Sequence, residues 1–424
     1  MWLIYDFIFL IIFSLSLPIY ILRGKIHKGI GRRFGLGYRG LKLDSPIWIH
    51  AVSVGEAIMM QPLIAKLHEA FPQRQLVIST VTPTGNRIAQ RLGKDTDCVT
   101  YLPLDFSFIV RRVISVVRPV LFILAETELW PNLIFSIHRQ RIPVIVVNGR
   151  VSDASFYGYR LARFLFSPLL KKINFFSVQT DTDKARLVAL GLSEDKIVVS
   201  GNMKFDILAE PPLNLGCKRS DLGLTDNDKL IVAGSTHHNE EELVIGSFLR
   251  LHRDYPFTHL FVAPRHPQRA KQVLRIVEKF GFRAVFLSEL KRFGTLPDKK
   301  AIFILDTIGE LNKFYSLADI VFVGGSLVRK GGHNILEPAF FAKPVIFGPH
   351  MFNFRDIASL FLEKKAALKV ENSQELYLKL AFLLEHPQQA ELLGKKARQL
   401  IYEYQGATAK NLKIIKRIVG MADE

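Results

Sequence analysis

The sequence "GGSLVRKGGHNILEPA", residues 324–339, holds two Gly-Gly pairs followed closely by a histidine, an asparagine and a glutamate. Glycine lets a backbone approach a ligand closely and adopts positive φ without steric cost. Glycines between a strand and a helix often receive a phosphate, because the N–H groups of the helix start point outward there. A tight turn without a ligand is the alternative for any single pair. The combination favours a phosphate or sugar site, with Glu337 accepting hydrogen bonds from ribose hydroxyls.

Candidate acid–base residues occur in the first half of the chain. Glu56, in "HAVSVGEA", follows Gly55 near a predicted helix start, where its carboxylate either complements the helix dipole or acts as a general base. Glu126 belongs to "ETELWPN", in which acid capping explains one glutamate but not both. Lys204, in "GNMKFD", is either an ordinary surface lysine or a cation that offsets charge developing in a transition state.

The second half carries groups suited to an anionic ligand. Arg265 follows Pro264 and lies between two prolines, which hold a rigid extended turn suited to bidentate phosphate binding. The segment "DTIGEL", residues 306–311, offers a turn glycine and an acid at a helix start. "GSTHHNEEE", residues 234–242, supplies capping residues, and "FGPHMFNF", residues 347–354, places His350 and Asn353 on a loop.

Two patterns resemble metal sites. "DTD", residues 181–183, follows a predicted strand and opens a helix, which favours capping over metal binding. His237 and His238 are adjacent, so they do not share a helix face as ligands four residues apart would. We therefore predict that the chain binds no metal.

All these clusters follow short apolar runs typical of buried parallel strands, with amphipathic helices between them. The sequence predicts two doubly wound α/β domains in tandem, with ligands at the carboxyl ends of the strands and in the cleft between the halves. Domain boundaries are predicted at 1–22, 23–206, 207–224 (a linker), 225–373 and 374–424 (helices that pack back on the first domain). The predicted strands are 47–52, 75–80, 120–125, 142–148, 174–179, 230–235, 259–264, 283–288, 301–306, 319–325, 344–349 and 366–370.

Composition limits the partners. The chain has 424 residues, 49% of them hydrophobic, and a formal net charge of +18, which indicates a folded protein with an anionic partner. Its two cysteines have no metal-like spacing, which favours free thiols in a reducing compartment. No nucleic-acid-binding motif accompanies the basic charge, so nucleic acid is the weak alternative to a membrane surface or a phosphorylated substrate.

The first residues favour the membrane. Residues 2–22 are apolar except for Asp6, and as a helix they would measure about 31 Å, close to the thickness of a bilayer core. A cleavable signal peptide would need a basic start and a small-residue cleavage site, which are missing. Basic residues follow the run, which predicts a single-pass anchor with the main body on the cytoplasmic side of an anionic membrane. A hairpin or an interfacial anchor is the alternative.

The clusters, in this order, resemble the bacterial 3-deoxy-D-manno-octulosonic acid (Kdo) transferases, membrane-anchored glycosyltransferases of GT-B fold. The resemblance covers essentially the whole chain and includes "SVGE", "ETELWPN", "NGRVSD", "GNMKFD", "PRHPQR", "GGHNILEP" and "FGPHMFNF". It implies transfer of Kdo from CMP-Kdo to a lipid A precursor at the inner membrane, with inversion and without a cofactor or catalytic metal.

The resemblance also implies roles for individual residues. Glu56 would be the catalytic base, and Glu126 and Lys204 would stabilise the transition state. The CMP-binding residues would be Pro264, Arg265, Ile308, Gly309, Glu310, Asn334, Ile335, Leu336 and Glu337. The alternatives are a GT-B transferase or epimerase that uses a UDP-sugar, and a membrane-tethered protein that binds nucleotide sugars without turnover.

Overall fold

The computed structural model describes residues 2–22, 29–38, 40–41, 43–95, 97–207, 216, 218–293 and 301–423. The chain forms two compact units, one containing the residues up to Ile207 and those from Tyr404 onward, the other containing the residues between them. Each unit is built on one seven-stranded sheet. The predicted pair of doubly wound α/β sheets is confirmed, whereas half of the predicted linker at 207–224 lies outside the described residues.

The first unit contains strands and helices in alternation. Its strands are β1 (Ile47–His50), β2 (Leu76–Thr80), β3 (Cys98–Tyr101), β4 (Leu121–Ala125), β5 (Val144–Gly149), β6 (Phe175–Val178) and β7 (Ile197–Val199). Its first nine helices are α1 (Trp2–Leu22), α2 (Ile30–Arg33), α3 (Val54–Ala70), α4 (Pro83–Leu92), α5 (Ser107–Val117), α6 (Pro131–Arg139), α7 (Asp153–Leu161), α8 (Arg163–Leu170) and α9 (Asp181–Ala189). Ser53, Thr82, Ser152 and Thr180 cap the starts of α3, α4, α7 and α9.

The strands of this sheet are parallel and lie in the order β3-β2-β1-β4-β5-β6-β7. Successive side chains of β1 enter different cores: Ile47 and Ile49 pack with α3, and Trp48 packs with α5 and α6. This two-sided burial explains why the central strands are continuous apolar runs. Sequence patterns missed the two edge strands, β3 and β7, which are short and carry partly exposed residues.

Helix α1 packs against this unit through one face. The carboxylate of Asp6 accepts hydrogen bonds from Ser107 N (3.0 Å) and Asn132 Nδ2 (2.7 Å), and the hydroxyl of Tyr5 donates to Asp105 (3.0 Å). Within the described residues, no helix combines the length and the hydropathy that crossing a membrane requires. The predicted spanning anchor at 1–22 is therefore not supported.

The second unit repeats the α/β alternation. Its strands are β8 (Lys229–Thr236), β9 (Thr258–Pro264), β10 (Arg283–Phe286), β11 (Ala301–Ile304), β12 (Ile320–Val323), β13 (Val345–Phe347) and β14 (Leu368–Lys369). They pair in parallel in the order β10-β11-β9-β8-β12-β13-β14. Its helices are α10 (Glu240–Asp254), α11 (Ala270–Lys279), α12 (Leu287–Phe293), α13 (Leu311–Leu317), α14 (Leu336–Phe340), α15 (Arg355–Glu363), α16 (Ser373–Glu385) and α17 (Pro387–Tyr404).

The final helix, α18 (Ala407–Asp423), belongs to the first unit. Its Ala407, Ile415 and Val419 enter the core beside α3. The carboxylate of Asp206 accepts hydrogen bonds from Gly406 N (2.7 Å) and Thr408 N (2.5 Å), which satisfies N–H groups at the start of α18. The 374–424 segment is thus divided, because α16 and nearly all of α17 are in the second unit.

Replacing Asp206 with alanine should destabilise the first unit by roughly 1–2 kcal/mol, the usual effect of losing a helix cap. We expect a melting temperature lower by a few degrees in calorimetry and faster amide exchange at the start of α18. Asp195→Ala, at an exposed position of the same unit, is the matched control and should leave both unchanged. Equal melting of the two variants would contradict the capping role.

Candidate functional site

The candidate residues of the first unit gather where its strand order reverses. Strands β1 and β4 are neighbours, with His50 beside Leu124, although they are not consecutive in the chain. Their following turns diverge to opposite sides and leave a crevice, which is the usual ligand position in such sheets. Glu56 follows β1 and Glu126 follows β4, so both predicted residues lie at this crevice.

Glu56 lies in the first turn of α3 and forms a reciprocal cap with Ser53. Its carboxylate accepts hydrogen bonds from Val52 N (2.7 Å) and from the Ser53 hydroxyl (2.8 Å), while the Glu56 N–H donates to the same hydroxyl (3.3 Å). These bonds show the capping contact, and the catalytic role of the same side chain stays a prediction.

Three carboxylates interact at this crevice. Burial raises the pKa of Glu56 to about 7, the negative charges of Glu126 and Glu128 add to the effect, and the Val52 and Ser53 hydrogen bonds oppose it. Burial and Glu126 likewise raise the pKa of Glu128. A carboxyl group with a pKa near 7 can exchange a proton at neutral pH, as a general base must.

Glu126 is held by an unusual backbone conformation. Its φ is +57°, a left-handed conformation that non-glycine residues seldom adopt, directly after the last residue of β4. Its N–H donates to Val147 O (2.9 Å), and the neighbouring Thr127 hydroxyl donates to Arg150 O (2.6 Å). Such backbone strain is frequent at functional sites, because the surrounding contacts must enforce it.

Lys204 lies in a 3₁₀ turn at Met203–Asp206 on the same edge of the sheet. Asn148, at the end of β5 with φ +54°, accepts a hydrogen bond from Met203 N (2.8 Å). The Lys204 N–H donates to Asn202 (3.0 Å), whose amide in turn donates to Gln179 (2.9 Å). These bonds fix the backbone of the predicted lysine.

Two further residues at this edge were not predicted from the sequence. His50, the fully buried last residue of β1, has its Nδ1 3.0 Å from Ser79 O, and burial lowers its pKa to about 4. The His50 and Trp130 rings lie 6.4 Å apart, and His50 Nε2 and Trp130 Nε1 are buried without a hydrogen-bond partner among the described residues. A neutral acceptor and an unused donor therefore lie at the same edge of the sheet, and only their position near the ends of β1 and β4 indicated them in the sequence.

The candidate residues of the second unit lie at the ends of three strands of its sheet, β9, β11 and β12. Pro264 ends β9, Arg265 follows it with its N–H bonded to Thr236 O (2.9 Å), and the Ile308–Glu310 turn follows β11. The Asn334–Glu337 segment leads from β12 into α14. Because β11, β9, β8 and β12 are consecutive in a parallel sheet, these turns share one edge.

Side chains of this set differ in their surroundings. Asn334 Nδ2 donates to Glu337 (3.2 Å); burial raises the pKa of Glu337, while Asn334 and the positive charge of Arg265 oppose the rise. Ile335 and Leu336 are core residues, so they can offer a ligand only their backbone groups. Ile308, by contrast, is 81% exposed, and Glu310 accepts from the Thr307 hydroxyl and pairs with Lys313 (3.3 Å).

The glycine-rich loop differs from our expectation of a phosphate bound by its N–H groups. The N–H groups of Gly325, Ser326 and Leu327 donate to the buried carboxylate of Glu240, at 2.6, 3.0 and 2.9 Å. A side chain at Gly324 would meet the backbone of Ser235 and Thr236 at 2.7 Å. These glycines therefore allow close packing around an internal carboxylate.

The "DTD" pattern is a cap. Thr180 and Asp183 form a reciprocal capping box at the start of α9, and the Asp183 carboxylate also accepts from Val151 N (2.8 Å). This is the capping explanation favoured from the sequence.

Comparison with known proteins identifies relatives along the whole chain. Residues 28–207 match the family model for 3-Deoxy-D-manno-octulosonic-acid transferase (kdotransferase). A 3-deoxy-D-manno-octulosonic acid transferase of Haemophilus influenzae is 35% identical over 87% of this chain and 86% of the relative. One of Chlamydophila psittaci is 30% identical over 98% and 96%. A bifunctional glycosyltransferase/methyltransferase of Fusobacterium nucleatum is 37% identical, and the chain spans 55% of its length.

Solved structures share the fold at low identity. A putative UDP-N-acetylglucosamine 2-epimerase from Listeria monocytogenes has a TM-score of 0.57 at 16% identity, covering 90% of this chain and 98% of that one. A UDP-GlcNAc 2-epimerase from Neisseria meningitidis has a TM-score of 0.55 at 14% identity, covering 88% and 100%. This likeness shows the fold alone, which is GT-B-like.

Replacing Glu240 with glutamine should lower the stability of the second unit by about 2 kcal/mol or more, because one amide oxygen cannot satisfy the backbone N–H groups that the carboxylate binds. Calorimetry or chemical denaturation measures the loss. Glu242→Gln is the matched control on the same helix, since Glu242 is exposed and pairs only loosely with Lys279 (3.6 Å). If both variants unfold alike, the carboxylate does not hold the loop.

Proposed function

Because the chain belongs to the 3-deoxy-D-manno-octulosonic acid (Kdo) transferase family of glycosyltransferases, we propose that it moves Kdo from CMP-Kdo to a lipid A precursor in lipopolysaccharide synthesis. The observation that carries this proposal is the half-buried Glu56 carboxyl at the crevice between β1 and β4, whose pKa is raised to about 7. A transferase needs such a group, since the acceptor hydroxyl must lose its proton as the new glycosidic bond forms.

In the proposed mechanism, Glu56 accepts the proton of the acceptor hydroxyl, whose oxygen attacks the anomeric carbon of Kdo while the bond to the CMP phosphate breaks. One base and one direct displacement invert the anomeric centre, and the reaction uses no metal. Glu126 stabilises the cation-like sugar, and Lys204 offsets the negative charge that develops in the transition state.

The donor is held by the second unit. Arg265 pairs with the phosphate of CMP-Kdo. This exposed residue directly follows β9, and a guanidinium can bind a phosphate through two parallel N–H groups. Glu337 accepts from the ribose hydroxyls, and Pro264, the Ile308–Glu310 turn and the backbone of the Asn334–Leu336 segment complete the CMP site. The CMP leaving group departs as an anion that these groups stabilise.

The acceptor is a lipid, which explains two surface features. Helix α1 exposes apolar side chains away from the protein: Phe7, Ile8, Ile12 and Leu15. The formal charge of +18 suits an anionic membrane surface and the phosphates of the acceptor. We place the enzyme at the cytoplasmic face of the inner membrane, associated through this face.

Glu56→Gln should reduce transfer from CMP-Kdo to the lipid A precursor by about 10² to 10⁴-fold, the usual loss when a positioned base is removed. CMP affinity should stay unchanged, because the substitution lies in the other unit. Glu69→Gln, on an exposed position of the same helix, should retain full activity. Near-normal turnover of a folded Glu56→Gln enzyme would disprove the assignment.

The pH profile gives a second test. A base works only when deprotonated, so kcat/KM should fall as the pH drops through about 7, the pKa of Glu56. Removing the negative charge in Glu128→Gln eases ionisation of Glu56 and should move this acidic limb to lower pH. A limb that stays in place in Glu128→Gln would assign it to another group.

A further inference from the structure

Two histidines meet at the strand-order reversal of the second sheet. His237 follows β8, and His333 belongs to the loop after the neighbouring strand β12. Their Nε2 atoms are 2.8 Å apart, and their rings are nearly parallel at 5° with centroids separated by 5.1 Å. At this distance the two nitrogens hold one proton between them, one as donor and one as acceptor.

The surrounding loop fixes this pair. Gly325 has φ +68°, and a side chain there would approach Cδ2 of both rings at 3.1–3.2 Å. The His237 N–H donates to Glu240 (3.1 Å), the carboxylate that also binds the Gly325 N–H. The glycine and the buried glutamate therefore hold the two imidazoles in contact.

The charged groups that face the pair are mainly positive. The two nearby carboxylates are already engaged, Glu240 by backbone N–H groups and Glu241 by Arg269 at 2.6 Å. Burial, foremost, and this positive charge lower the pKa of each histidine to about 4. The basic groups acting on the pair are Arg265, His266, Arg269 and Lys330.

We propose that His237 and His333 form a proton-accepting pair that binds the phosphate of the donor nucleotide and takes up one proton as the nucleotide binds. This rests on the proposed function. An anion beside the pair offsets the charge of the basic groups and favours the cationic form of an imidazole. The proton then stays on one ring, where its N–H⁺ donates to the other ring, and a further ring N–H becomes available to the phosphate.

Proton uptake is measurable without turnover. Titration calorimetry with CMP at pH 7, in two buffers of different ionisation enthalpy, gives the number of protons bound per nucleotide. We expect His237→Gln and His333→Gln to bind up to one proton fewer than the wild-type enzyme and to lose about tenfold or more in CMP affinity at pH 6. The phosphate of CMP can also gain or lose a proton, but this contribution is the same for the wild-type enzyme and the variants. The difference between their proton counts therefore measures the contribution of the histidines.

Matched controls make the result specific. His386→Gln, at an exposed position of the same unit, should retain the proton uptake. Cytidine, which lacks the phosphate, should cause none. In the wild-type enzyme, NMR of ¹⁵N-labelled histidine should show one ring moving toward the imidazolium form when CMP is added, a readout that does not depend on any variant folding.

The outcomes separate this inference from the proposed function. CMP binding with equal proton counts in wild type and both variants, or without an imidazolium signal, would overturn the role of the pair and leave the transferase assignment standing. Failure of the folded wild-type enzyme to bind CMP would overturn the proposed donor and the pair's role with it.

Discussion

In each unit, a glutamate carboxylate lies at the carboxyl ends of the parallel strands, and the hydrogen bonds it receives determine its role there. A buried carboxylate is costly unless hydrogen bonds compensate for its lost hydration. Glu240 receives four backbone N–H groups, those of His237, Gly325, Ser326 and Leu327, and so orders the loops after β8 and β12. The histidine pair and the loop glycines depend on that arrangement.

Glu56 occupies a comparable position after β1 with a different result. It receives one backbone N–H and one hydroxyl, and two further carboxylates act on it. Its charged form is less well compensated, so a change of protonation is within reach at neutral pH. Glu240 and Glu56 thus follow the first strand of their sheets in the same way but differ in their hydrogen-bond donors. Glu240 holds loops in place, whereas Glu56 is suited to proton transfer.

The sequence predicted the central strands because burial on both faces imposes continuous apolar runs. It missed β3 and β7, whose edge positions leave residues exposed and remove that signal. It located Glu56, Glu126, Arg265 and Glu337 after strands, but it assigned the N–H groups of the glycine loop to a phosphate. The actual acceptor, Glu240, is 85 residues away from Gly325, and local patterns carry no information on such a contact. For the same reason the His237–His333 pair was not predicted.

Helix α1 shows a related limit of what amino-acid composition can predict. Its residues are apolar except for Asp6, and this run predicts a membrane span. In the structure, Asp6 joins Asn132 and Ser107 next to the buried Asp105, whose pKa is raised to about 7 chiefly by burial. Phe9 and Phe13 pack on Phe106, whereas the opposite face of the helix is exposed. Polar side chains of this helix bind protein groups, and apolar side chains on its opposite face are exposed. The hydrogen bonds of Asp6 therefore orient the helix on the first unit and determine which of its faces is exposed.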